Sequence, residues 1–147
     1  TMPNRCPNSA ASGQVAGVIS ICYEAIFPGK IINSKDRPEW IFNATNDAWF
    51  GASIGPNQHL ASSRMRAVEE GLPFIRAANT GISAIIDGKG RIVSSLSLGE
   101  TEILDGTLPA ALAPTAFSSY GQVMFLLVFA ASLTMAAILN FKKDSVS

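Results

Sequence analysis

Apolar positions along the chain fall into short β-branched runs near the start, one helical repeat in the middle and a long unbroken block at the end. Val15 to Cys22 (VAGVISIC) is the first run, and its continuous apolar character predicts a strand buried on both faces. Trp40 to Ala44 (WIFNA) predicts a second strand, with Pro28, Gly29 and Pro38 bracketing the connection between them. Two such strongly apolar strands suggest an interior sheet. After the loop Asn46 to Ser53, Leu60, Arg64, Val68 and Leu72 repeat at helical spacing with Met65 beside them. That repeat predicts a helix over Pro56 to Glu70, closed by Gly71 as its C-cap with Pro73 just beyond. Phe74 to Ala77 and Ile82 to Ile86 read as strands, and Asp87-Gly88-Lys89-Gly90 as a hairpin turn into Arg91 to Ser95. Thr101 to Thr107 reads as one further strand. Residues 1–13, rich in Pro, Asn and Ser and without a period, read as a tail.

The terminal block is of another kind. Val123 to Leu139 reads VMFLLVFAASLTMAAIL, interrupted only by Ser132 and Thr134, whose hydroxyls can bond back to the helix's own carbonyls. With Tyr120, Gly121, Gln122, Asn140 and Phe141 at its ends, the run reaches the roughly 20 residues that cross a hydrocarbon core. A buried core helix is shorter and keeps a polar stripe. The pattern therefore predicts a transmembrane helix over 120–141, preceded by a sheet-rich α/β domain at 14–108 and a linker at 109–119, and followed by a short tail at 142–147. No basic residue occurs between Arg91 and Lys142, whereas Lys142 and Lys143 follow the run directly. The positive-inside bias then puts the C-terminus in the cytoplasm and the domain on the other side.

Composition narrows the functions available. A hydrophobic share of 48% with 15% charged residues excludes a disordered chain. Eleven basic residues against 11 acidic ones leave no basic excess for nucleic acid. One His and two distant Cys form no zinc spacing, so neither a metal nor a cofactor is expected.

Cys22, at the end of a strand, stands where a ligand reaches it, and a thiolate so placed is a good nucleophile when a base or cation accompanies it. Position alone leaves a buried structural cysteine equally open. A Cys6–Cys22 disulfide would need an oxidising compartment and would join a tail to a strand, which argues against it. Asn46 to Gly51 (NDAWFG) sets an amide, a carboxylate and two aromatics after a strand, suited either to lining a pocket or to an ordinary turn. His59 is solitary, and chain order alone lends no support to a Cys22, His59, Asp47 triad. Asn43-Ala44-Thr45 fits a glycosylation pattern but falls inside an expected strand, where it reads as coincidence.

Taken together, Ile21-Cys22-Tyr23-Glu24, Thr45 to Gly51, Gly55-Pro56-Asn57-Gln58-His59, Arg64 to Glu69 and Asn79-Thr80-Gly81 closely resemble the apolipoprotein N-acyltransferases, bacterial inner-membrane members of the nitrilase, or carbon-nitrogen hydrolase, superfamily. The resemblance runs from about Gly17 to Phe141. It implies the C-terminal part of a nitrilase-like αββα sandwich followed by one transmembrane helix. It also implies a Glu-Lys-Cys triad that takes an acyl chain from a phospholipid, holds it as a thioester and passes it to the N-terminal amine of an apolipoprotein's diacylglyceryl-cysteine. Cys22 matches the nucleophile, and the Tyr23 N–H is the natural oxyanion donor. Tyr23 and Glu24 match positions that the family needs for activity, and Glu69 matches a superfamily glutamate near the site. Asn46, Asp47, Trp49 and Phe50 correspond to the substrate-binding wall.

The family's catalytic Glu and Lys precede its nucleophile, yet here Glu24 is the first acid and Lys30 the first lysine. The chain is thus expected to be the C-terminal portion of such an enzyme, inactive by itself, with its domain periplasmic and its partners a phospholipid, an apolipoprotein, the membrane and the missing N-terminal half. The competing readings are a membrane-anchored nitrilase-type amidase and a non-catalytic remnant that pairs with a partner half.

Overall fold

The computed structural model describes residues 16–32, 36–51 and 53–144, with the side chains at 137, 139 and 141–144 outside the description. The expected tail at 1–13 and Cys6, with the disulfide weighed for it, lie outside the described residues.

Five strands form one sheet in the sequential order β1-β2-β3-β4-β5. They are β1 (Gly17–Ile21), β2 (Trp40–Asn46), β3 (Phe74–Asn79), β4 (Ser83–Ile86) and β5 (Ile92–Leu96). The first three run parallel, and β3, β4 and β5 pair antiparallel. Among the described residues three α-helices accompany them: α1 (Gly55–Glu70), α2 (Ala116–Tyr120) and α3 (Val123–Asp144).

Because side chains alternate across a strand and paired residues share a face, the register sorts the sheet into rows. On the face beneath α1, Val18, Ile41, Phe74 and Ile86 make an apolar row, and Ser20, Asn43, Arg76 and Ala84 make the next one. Leu60 and Ala67 of α1, together with Ala25 and Leu72, close the core over that face. On the opposite face the row Ile19, Phe42, Ile75 and Ile85 is covered only toward β4, and Ile19 and Ile21 stay 46% and 52% exposed.

That arrangement corrects several expectations. β1 is an edge strand open on one face, because among the described residues no element packs beyond it. The apolar stripe expected on α1 is rotated: Met65 and Val68 are exposed, and beyond Gly55 and Pro56 the buried positions are His59, Leu60, Ser63, Arg66, Ala67 and Glu70. The sheet below presents buried polar groups, and α1 turns its own polar side chains toward them. Thr101 to Thr107 forms no strand, since no neighbour supplies a ladder for it, and the expected linker contains α2. The predicted Gly71 C-cap is present, left-handed at φ +66°. α3 starts at Val123, set off from α2 by Gly121 at φ +56°. Among the described residues no helix is long and apolar enough to cross a membrane.

Candidate active site

β1 ends one residue earlier than the apolar run suggests, and Cys22 opens a 3-10 turn over Cys22–Ile26. Its φ of +49° is left-handed, which costs a residue with a Cβ about 1–2 kcal/mol and persists only where the surroundings over-determine it. The thiol is exposed.

Two sets of hydrogen bonds hold this corner. On the turn itself, the Ile21 N–H donates to Glu24 Oε2 at 2.7 Å, so the Glu24 carboxylate braces the backbone on both sides of Cys22. From the sheet, Asn43 Nδ2 reaches the Ser20 carbonyl at 3.2 Å and the Cys22 carbonyl at 3.2 Å. Asn43 is fully buried with its amide engaged, and the glycosylation pattern there is closed to modification.

Behind Asn43 lies a charged cluster. Arg76, 1% exposed, donates to Asn43 Oδ1 at 3.0 Å, to Ser63 Oγ at 3.2 Å and to Asp47 Oδ2 at 2.6 Å. The other Asp47 oxygen accepts from His59 Nδ1 at 2.9 Å. Burial pulls the Arg76 pKa below its ordinary value, and the Asp47 carboxylate opposes that shift. Any side chain at Gly81 would collide with the Asp47 carboxylate, so the glycine of Asn79-Thr80-Gly81 is required by close approach.

His59 continues the cluster to the surface of the site. Its ring stacks on Tyr23 at 5.1 Å and meets Phe50 edge-on at 6.0 Å, while its Nε2 is buried without a partner. Gly55 is needed here too, because a Cβ would overlap the Phe50 ring.

The residues singled out from sequence therefore separate. Cys22, Tyr23, Glu24 and Phe50 share one neighbourhood. Asp47 lies beneath it with both oxygens engaged, and its carboxylate is a structural ion pair. Asn46 ties its loop together, accepting from the Ala48 N–H and from Asn79 Nδ2. Trp49 is 89% exposed and lines nothing among the described residues. Glu69 stands elsewhere, in the last turn of α1, paired with Arg66 at 2.6 Å. Burial raises its pKa and Arg66 opposes the rise. It borders a cleft of about 680 Å³ lined by Pro28, Phe117, Met124, Phe125 and Leu126. Arg66 also donates to the Ile26 carbonyl at 3.0 Å, fastening α1 to the end of the cysteine turn.

Arg76 and Ser63 do not stand out by sequence reasoning, Asn43 does so only as a glycosylation pattern, and His59 reads there as solitary. The available signal was an arginine two residues after Phe74 in a strand, on the same face as that core residue.

No group of three or more His, Cys, Asp or Glu suited to a metal occurs among the described residues.

An exposed thiol on a left-handed corner after a parallel strand, in a mixed sheet backed by a helix, defines a class of α/β proteins organised around one cysteine. Residues 10–116 match the carbon-nitrogen hydrolase family, and the chain belongs to it. It is 55% identical over 116 residues to a Bradyrhizobium diazoefficiens protein named apolipoprotein N-acyltransferase, covering 79% of this chain and 22% of that one. A protein of the same name from Rhodopseudomonas palustris is 57% identical over 103 residues, covering 70% of this chain and 19% of the relative. The chain thus spans about a fifth of the length of these curated relatives. The fold is similar to the crystal structure of a carbon-nitrogen hydrolase from Helicobacter pylori, with a TM-score of 0.50 at 15% identity over 59% of this chain and 38% of that one.

Proposed function

We propose that these residues belong to an apolipoprotein N-acyltransferase and carry its nucleophile. The observation behind the reading is Cys22, an exposed thiol held at φ +49° by hydrogen bonds from the turn and the sheet. The names of the relatives supply the substrate class.

In the first half-reaction the Cys22 thiolate attacks the ester carbonyl of a phospholipid, an S–C bond forms, and the π pair moves to oxygen. The Tyr23 N–H donates to that oxyanion. Collapse expels the lysophospholipid alkoxide, which takes a proton, and leaves a thioester. In the second, the N-terminal amine of an apolipoprotein's diacylglyceryl-cysteine attacks the thioester, the amide forms and the thiol is regenerated, which predicts ping-pong kinetics. Glu24 braces the corner, Phe50 beside Tyr23 faces substrate, and Asn46 and Asp47 fix the loop that carries it. Glu69 stands apart from the cysteine, paired with Arg66 beside the cleft lined by Pro28, Phe117 and Met124. The general base and the lysine come from outside these 147 residues, since no Glu or Lys precedes Cys22.

The open face of the sheet receives the second layer of an αββα sandwich. The described part of α3 is not long and apolar enough to cross a membrane by itself. Its charge-free sequence run continues to Phe141, past the described side chains, and on this reading the whole run anchors the domain in the bacterial inner membrane, the domain periplasmic and Lys142 and Lys143 cytoplasmic. The support is the charge-free run from Gly121 to Phe141, whose described side chains from Val123 to Ala136 are all exposed.

The experiment is acyl labelling. With the N-terminal remainder of such an enzyme supplied, a radioactive phospholipid should label Cys22 through a hydroxylamine-sensitive bond, and Cys22→Ala should abolish both label and transfer. Normal turnover by the alanine variant, or a label at another residue, would sink the assignment. The 147-residue chain alone should not restore triacylated lipoprotein to a strain lacking its own acyltransferase. Rescue would show that base and lysine lie within it.

A further inference from the structure

Asn43 takes part in no chemistry, yet its amide touches the backbone of the candidate nucleophile. We propose that Asn43 is a positioning residue that aims the Tyr23 N–H at the oxyanion, with Arg76 holding Asn43 in the one orientation that does so.

The carbonyl of Cys22 and the N–H of Tyr23 belong to the same peptide unit. That peptide is trans, so its C=O and N–H point in opposite directions in one plane. Asn43 Nδ2 donates to this carbonyl at 3.2 Å from within the sheet. Fixing the oxygen inward fixes the hydrogen outward, on the side away from the sheet. Donation to the carbonyl also polarises the peptide and strengthens its N–H as a donor.

The direction of the Asn43 amide is itself determined. Arg76 has donors only, so the atom of Asn43 that meets Arg76 Nη1 at 3.0 Å must be the oxygen, and the NH₂ group is left facing Ser20 and Cys22. Arg76 in turn is held by Asp47 at 2.6 Å, by Ser63 and by the Ile82 carbonyl. Register makes the line continuous, since Ser20, Asn43 and Arg76 are neighbours across three parallel strands. The left-handed corner at Cys22 thus rests on a buried cation two strands away.

This deepens the acyl-transfer reading and rests on it. The test compares two reactions of the same sulfur. The chain is purified in detergent micelles with Cys6→Ser, leaving Cys22 as its one thiol. Acylation by p-nitrophenyl butyrate passes through an oxyanion, with C–S formed and p-nitrophenolate expelled; alkylation by iodoacetamide displaces iodide and makes none. Taking the ratio of the two rates at each pH cancels the thiolate fraction. In Asn43→Ala the ratio should fall on the order of 10²-fold with alkylation unchanged. Asn43→Asp, of the same shape and still paired to Arg76, should fall likewise, and circular dichroism should confirm that each variant is folded. An unchanged ratio, or equal loss of both reactions, would overturn the aiming role. No acylation of Cys22 in the parent chain even with the N-terminal remainder of such an enzyme supplied would instead overturn the acyl-transfer reading itself.

Discussion

Arg76 sits 1% exposed in the middle of β3, between a parallel and an antiparallel neighbour, and is held by Asp47, Asn43, Ser63 and the Ile82 carbonyl. A buried cation is tolerable when paired and costly when its partner is removed. Asp47→Ala should therefore lower stability by about 3–5 kcal/mol in urea denaturation, whereas the paired change Asp47→Leu with Arg76→Met should lose far less. Glu69 gives a second prediction at this scale. Burial raises its pKa above the ordinary 4.5, so the folded state holds that proton more tightly than the unfolded one. Stability then falls as pH climbs from 4.5 through the folded-state value. Thermal melts of Glu69→Gln should lack this decline across the same window. Glu69 was legible as an acid worth naming, but its ion pair with Arg66 was not singled out, and its burial follows from α2 and α3 passing over it.

For α1, existence and ends follow from local chemistry: Pro near its start, a helical repeat, and a glycine after its last turn. Gly71 adopts φ +66°, so Gly71→Ala should cost about 1–2 kcal/mol of stability, read by chemical denaturation. Its orientation was misjudged because a stripe is conventionally sought among apolar residues. Here His59, Ser63, Arg66 and Glu70 recur at the same spacing and face inward, since the row beneath them, Ser20, Asn43 and Arg76, is polar. Thr101 to Thr107 fails as a strand for a complementary reason. Its residues suit an extended backbone, but a strand exists only where a neighbour offers hydrogen bonds.

Among the described residues, apolar surface is left exposed at several points, and two of them matter at this scale: the open face at Ile19 and Ile21, and α3. An edge strand with an apolar face invites pairing and aggregation unless covered. The chain expressed alone should pellet with membranes and resist alkaline carbonate extraction, and Leu126→Lys combined with Leu133→Lys should release it. Extraction of the unaltered chain by carbonate would count against α3 as an anchor.

The strands β1 to β4, the hairpin at Asp87 to Gly90, and α1 with its C-cap at Gly71 were present in the sequence, because each depends on residues near one another in the chain. The polar row beneath the cysteine was not. Ser20, Asn43 and Arg76 come from three separate segments, and only the parallel register makes them neighbours. His59 is solitary by spacing yet lies between Tyr23 and Phe50 because α1 crosses the sheet at that point. The left-handed turn at Cys22 was likewise beyond local reading. A residue with a Cβ disfavours that backbone, and hydrogen bonds from Glu24 and Asn43 hold it there.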